Sequence, residues 1–416
     1  MSETVSATIQ AKTIRTLAIA QILSGIGVAG TVAAGSLLVT SITNSETLAG
    51  VAQTFSVFGA AVMALALANL TRRGGRRLAL SAGYAIGALG AATAVIAGTN
   101  ALVPLIFLGT FMIGASSAAG YQARYAAIDL ADDHNRASSL SFVVWASTIG
   151  SVLGPNLLEP LGQVASTLGL PELTGPFLMA SITLLAGSSL IWLRLKPDPY
   201  LTSLSGSEEL TPKVQVKIPV KETFQHIRSN TNSLLGVSAI AIGHVAMVSI
   251  MVMTPVHMKH VDVSLRIIGL VISVHIAGMY AFSPLVGKLS DRIGRIKVII
   301  LAGLVLLSSA VIAGFAPADS SLQLGIGLFL LGLGWSGTLI AGSTLLSETV
   351  SDHYRAAAQG VSDLMMNLSG AFGGAVAGVI IATLSYGWLC AIASIPVGIL
   401  TIRAWLAARQ ENALVG

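Results

Sequence analysis

Long apolar runs, broken by short polar or basic clusters, dominate this chain. Twelve of them, at about 16–40, 47–68, 78–97, 102–127, 138–158, 176–195, 232–257, 264–287, 297–316, 321–346, 357–383 and 386–407, approach or exceed the ~20 residues a helix needs to cross a bilayer. Transmembrane β-strands would show ~10-residue alternating segments, whereas these runs are continuous and carry scattered glycines, as helical spans do. The longest polar interruption, roughly 196–231, divides the spans six and six. The pattern therefore predicts an all-α membrane protein of two six-helix halves, 1–195 and 232–416, joined by a linker at 196–231. The first run is not followed by a small-residue cleavage site and reads as a retained span.

Composition narrows the class. Of 416 residues, 54% are hydrophobic and 10% charged, with a mean hydropathy of +0.80, against about 25% charge in soluble domains. A soluble enzyme and a disordered scaffold are excluded. The formal charge is +5, but the basic residues cluster between spans instead of forming one stripe, so they argue topology and not a nucleic-acid partner. Counted loop by loop, 21 of 23 Lys and Arg fall on one side, and only Lys259 and Arg266 on the other. The positive-inside rule then puts both termini in the cytoplasm. A single cysteine, Cys390, cannot make an intramolecular disulfide or a thiolate metal cage.

The halves repeat. Arg73, Gly75 and Arg76 match Arg292, Gly294 and Arg295 at an offset of 219. The same offset relates Asp133, His134, Arg136 and Ala137 to Asp352, His353, Arg355 and Ala356, and Gly154 to Gly373. Two parallel copies imply a substrate site near the bilayer midplane and alternating access by rocking of the halves.

Candidate chemistry is concentrated in one stretch. The chain has 7 His and 11 Met, and half of these eighteen lie between 244 and 279: His244, Met247, Met251, Met253, His257, Met258, His260, His275 and Met279. At ~100° per residue His244, Met247, Met251 and Met258 form one stripe on the seventh span, and His275 and Met279 share a face of the eighth. Met247 and His275 both come out roughly 15–17 Å below the outer surface. Thioether and imidazole are soft to borderline ligands that suit Cu(I). We therefore take Met247, Met251, His275 and Met279 as the expected substrate ligands, with His244, His257 and Met258 as further candidates. Methionine is also a common apolar filler in spans. Asp129, Glu159, Asp291 and Glu348 sit at span ends. Asp363, about two turns into span eleven, is the carboxylate that a proton-coupled drug or small-metabolite exporter would use. No GxSxG, HExxH or phosphate loop is present, so neither enzymatic activity nor a bound cofactor is expected.

The stretch GKLSDRIGRIK, Gly287 to Lys297, resembles the loop signature of the major facilitator superfamily. That resemblance implies a gating role for Gly287, Asp291, Arg292, Gly294 and Arg295: Asp291 can meet the positive end of a neighbouring helix, and the arginines can pair with Glu348. The first-half copy, ALANLTRRGGRR, has Ala68 and Arg72 where the signature has Gly and Asp. Residues 121–141 and the segment from Gly150 through Gly154 to Pro155 also look like the superfamily. Within it, the pairs Met247/Met251 and His275/Met279 are similar to the motifs of the CcoA-type copper importers, which supply copper for cytochrome oxidase assembly. This implies copper uptake across the bacterial inner membrane. Copper, as an ion or a small complex, would be the transported substrate, and the protein a monomer in the bilayer.

Overall fold

The structure, a computed structural model, describes residues 3–205, 218–259 and 263–415, and every regular element among them is helical. The middle of the expected linker, 206–217, and His260 lie outside the described residues. In chain order the helices are α1 (Glu3–Thr43), α2 (Glu46–Thr99), α3 (Val103–Ala126), α4 (Arg136–Asn156), α5 (Leu158–Thr167), α6 (Gly175–Arg194), α7 (Pro199–Leu204), α8 (Val220–Ser229), α9 (Thr231–Lys259), α10 (Leu265–Tyr280), α11 (Ser283–Ile293), α12 (Arg295–Gly314), α13 (Ser321–Thr349), α14 (Asp352–Thr383) and α15 (Tyr386–Val415).

All twelve predicted spans fall on these helices. Eleven stretches among the described residues are long and apolar enough to cross a membrane, and one of them, Val51–Thr99, carries both the second and the third predicted span, two helices that meet at a kink. The join is made by one residue, Gly75, whose φ of 83° and ψ of 176° leave the helical range. An L side chain rarely adopts that φ, whereas glycine does so without steric cost. Gly294, its repeat partner, makes the same turn between α11 and α12 at φ 95° and ψ 156°. The eighth predicted span is broken into α10 and α11 at Ala281 and Phe282, with proline in the first turn of α11 where a missing N–H is harmless.

The helices cluster into two compact units. One holds Met1–Ala131, Ala146–Val220 and Gln359–Leu364; the other holds Asp132–Trp145, Lys221–Ala358 and Met365–Gly416. In the first, α2 packs along α3 and α6, and α1 along α6. In the second, α13 packs on α9, α10 and α12, and α15 closes against α9 and α12. Leu235, Ala239, Ile299, Ala341, Leu345, Leu400 and Ala404 form a core there.

Small residues set the spacing, as they do where helices associate without water to drive them together. A methyl at Gly59 would run into the Phe111 carbonyl oxygen, and one at Gly278 into that of Phe329. Gly114 likewise presses on the backbone of Ser56 and Gly59, and Gly332 on that of His275 and Gly278. These are the same two contacts made twice, once in each repeat. They put His275 and Met279 where the first copy has Ser56 and Ala60.

Candidate functional site

The residues of the loop signature converge on the start of α4. A Cβ at Gly287 would strike Ser141 and the Ala137 carbonyl, so glycine is what lets α11 approach α4 so closely. Asp291 then accepts hydrogen bonds from the backbone N–H groups of Ala137 (3.0 Å) and Ser138 (2.8 Å) and from the Ser138 hydroxyl. A carboxylate at a helix N-terminus satisfies orphan donors and the positive end of the helix dipole together. Arg295 holds Glu348 at 2.8 Å and Asp291 at 3.2 Å, and donates to the Asp133 carbonyl at 2.9 Å. Arg292 is exposed.

The first copy reproduces part of this. Arg76 grips Asp129 at 2.7 Å, and both partners lie 219 residues before Arg295 and Glu348. Asp133–Arg136 and Asp352–Arg355 are a second duplicated pair. Where the first copy lacks the signature aspartate, a residue beyond α6 stands in: Asp198 accepts from the Arg77 backbone N–H at 2.7 Å while capping α7 through Tyr200 and Leu201. Lys12 reaches the Lys196 carbonyl at 3.0 Å beside it.

Two histidines of the second unit, His244 and His275, turn toward α13. His275 is fully buried, and its Nδ1 lies 2.7 Å from the Leu328 carbonyl. A carbonyl oxygen only accepts, so Nδ1 carries a proton, and in the neutral ring the lone pair is then on Nε2. That Nε2 is buried with no hydrogen-bond partner. Met279, one turn on, is 7% exposed. On α9, Met247 and Met258 are buried, Met251 and Met253 half-buried.

His244 accepts a hydrogen bond at Nδ1 from the Trp335 indole (3.0 Å), whose ring meets Tyr280 edge-on. His257 stacks on Tyr386 at 4.4 Å and contacts the Ala316 carbonyl. Each helix is thus fastened to α13, which α9 and α10 touch far more extensively than they touch each other. Among the described residues no three His, Cys, Asp or Glu side chains gather where they could hold a metal ion.

In the first unit the geometry singles out Arg124, which the loop-by-loop count treats as one more basic residue near a span end. Its Nη2 sits 2.6 Å from Asp363 Oδ1 and 3.2 Å from the Tyr125 hydroxyl. Both members of the ion pair are at most 2% exposed. The guanidinium also lies 4.7 Å from the Tyr125 ring centre and 5.8 Å from that of Tyr121. One turn back on α14, Gln359 accepts from Arg76 at 2.6 Å. Between the two, Gly360 brings α14 against Ala64 and Ala68 of α2.

The repeat offers a signal for Arg124. At an offset of 218 or 219 the counterpart of Arg124 is Gly342 or Ser343, and Asp363 corresponds to Val144. Two of the ion pairs at the loops, Arg76–Asp129 with Arg295–Glu348 and Asp133–Arg136 with Asp352–Arg355, are duplicated; the buried Arg124–Asp363 pair is not.

The comparisons agree with this architecture. The sequence profile of the Major Facilitator Superfamily matches residues 17–264 and 237–414. YddS of Bacillus subtilis strain 168, an uncharacterized MFS-type transporter, is 37% identical over 377 residues, covering 90% of this chain and 86% of its own. The riboflavin transporter RfnT of Brucella anthropi is 29% identical over 368 residues, 86% of each chain. Among solved structures, a bacterial homologue of the iron transporter ferroportin superposes with a TM-score of 0.75 at 13% identity, over 95% of this chain and 99% of that one. The chain is a transporter of the Major Facilitator Superfamily.

Proposed function

We propose that the protein is a secondary active carrier of a small organic solute, coupled to protons at the Arg124–Asp363 pair. The observation that carries this reading is the burial of one unduplicated ion pair inside an apolar bundle. Ionisable groups in membrane spans are costly and mark substrate or proton pathways by default, and a buried pair is weak evidence of a purely stabilising role. The riboflavin transporter among the relatives makes an organic solute the natural cargo. We place the carrier in the bacterial cytoplasmic membrane as a monomer with both termini inside, following its Lys and Arg distribution. The test is uptake into proteoliposomes with and without an imposed pH gradient, offering riboflavin and a set of small organic acids. Gradient-driven accumulation of an organic solute is expected, and its absence across the set would overturn the reading.

A second reading, copper uptake, is favoured by His275. An imidazole that donates Nδ1–H to a carbonyl and presents a bare, buried Nε2 has the arrangement of a metal ligand with its outer partner in place. Met279 stands one turn away. On this reading His275→Ala and Met251→Leu, the latter keeping the packing and losing the sulfur, each cut Cu(I) uptake at least about tenfold, and Ag(I) but not Zn(II) competes. Wild-type uptake by the Met251→Leu variant would make that methionine packing alone.

Asp291 serves both readings as a gate. Asp291→Asn removes the charge at the α4 N-terminus, worth about 1 kcal/mol, and is expected to slow substrate exchange several-fold while substrate affinity stays within about twofold of wild type. A sharp loss of affinity at unchanged exchange rate would refute the assignment.

A further inference from the structure

Arg124 is only half used. Its Nη2 serves Asp363 and Tyr125, whereas Nε and Nη1 are buried and have no hydrogen-bond partner. A guanidinium carries five N–H donors in a planar fork, and donors left idle away from water are expensive. What such a fork accepts best is a second carboxylate. With the Tyr121 and Tyr125 rings beside the guanidinium and Nη2 engaged, Nε and Nη1 are the donors that a ligand would take.

We propose that Arg124 binds the carboxylate of a small organic monoacid and that Asp363 takes up one proton for each substrate bound, so that transport is electroneutral. The inference rests on the proton-coupled reading above and names the substrate class of that site. Its basis is a count of charge. With Arg124 positive and Asp363 ionised, the empty site sums to zero. When the substrate carboxylate occupies Arg124 and a proton from the same side sits on Asp363, it sums to zero again. Substrate alone leaves one negative charge in the bundle, and a proton alone leaves one positive charge.

Either half-loaded state buries an uncompensated charge, which a low-dielectric interior resists. Only the empty and the fully loaded carrier therefore pass through the occluded state, and coupling needs no further device. On the far side the proton leaves Asp363, the carboxylate returns to Arg124, and the substrate is displaced. The charged and titratable groups around Asp363 are Arg124, Tyr121 and Tyr125 on α3 and Arg76 on α2, the last held by Asp129 and by Gln359 one turn along α14. Arg76 is balanced by Asp129, which leaves Arg124 and Asp363 to set the sum.

The test uses the full chain in proteoliposomes with radiolabelled benzoate as monoacid, cis,cis-muconate as diacid and riboflavin as neutral solute. An inward proton gradient should drive benzoate-type accumulation that is unchanged when a potassium potential is imposed with valinomycin. Arg124→Gln should weaken monoacid binding at least about tenfold, the loss expected for charge-assisted hydrogen bonds, with partial rescue by Arg124→Lys. Should Arg124→Gln fail to fold, the neutral double variant Arg124→Gln/Asp363→Asn removes both charges together and must show the same loss. Proton-driven uptake of riboflavin but not of the acids would overturn this inference and leave the proposed function standing. Monoacid uptake that follows the membrane potential, or binding unaffected in the double variant, would overturn it as well. No proton-driven uptake of any of the three would remove both.

Discussion

Asp363→Asn is expected to abolish proton-driven accumulation while leaving downhill substrate exchange measurable. The substitution keeps the shape of the side chain but fixes its charge at zero, so no proton can be traded across the membrane. It also strands Arg124, 2% exposed, without a counter-charge. Removing one member of a buried ion pair costs about 3–5 kcal/mol, so the single variant should melt clearly below wild type in detergent. The double variant Arg124→Gln/Asp363→Asn should recover most of that loss, because two neutral amides have no charge to strand. Equal melting temperatures for the single and double variants would show that the two groups are not electrostatically linked. Accumulation surviving in Asp363→Asn would remove the carboxylate from the coupling mechanism.

The second large effect lies in the packing of α10. Gly278→Ala drives a methyl into the Phe329 carbonyl of α13, a backbone atom that cannot swing aside. Overpacking of this kind costs about 1–3 kcal/mol. The helix must also back away from α13, so the hydrogen bond from His275 to Leu328 should lengthen or break. Gly269→Ala on the same helix meets nothing within 4 Å and replaces glycine by the better helix former. The first variant should lose thermal stability and folded yield, and the second should match or slightly exceed wild type. Equal behaviour of the two would mean that the close approach of α10 to α13 is not what positions His275.

Much of this was legible in the residues, for identifiable reasons. The spans follow from transfer of apolar runs into lipid, so hydropathy locates α9, α12 and α13 within a few residues. The contacts of Asp291 with a helix N-terminus and of Arg295 with Glu348 were expected from the loop signature at 287–297, and which helix Asp291 meets, α4, is given only by the fold. The basic cluster at 72–77 marks the turn between the second and third spans, and the structure puts a kink there at Gly75; hydropathy cannot see that a single φ angle completes it.

Arg124 was hidden for a related reason: near the end of a span it counts as positive-inside, and only the partner 239 residues away reveals that it is buried. The histidine and methionine stripe illustrates the opposite limit. Helical periodicity puts His244 with Met247 and His275 with Met279 on their own faces, but which neighbouring helix each face meets is a tertiary fact. In the fold His244 finds Trp335 and His275 finds Leu328, both on α13.

One turn of α14 has a consequence for timing. Gln359 holds Arg76, Asp363 holds Arg124, and the two acceptors stand about 6 Å apart along the axis, with Gly360 between them seated against the Ala68 methyl and the Ala64 carbonyl of α2. A displacement of this stretch large enough to lose one bond loses the other. On the proposed mechanism, release of Arg76 by Gln359 and exposure of the Arg124–Asp363 pair are then one event, with a single activation barrier. Kinetic measurements on variants at Gln359 and at Asp363 should report the same step.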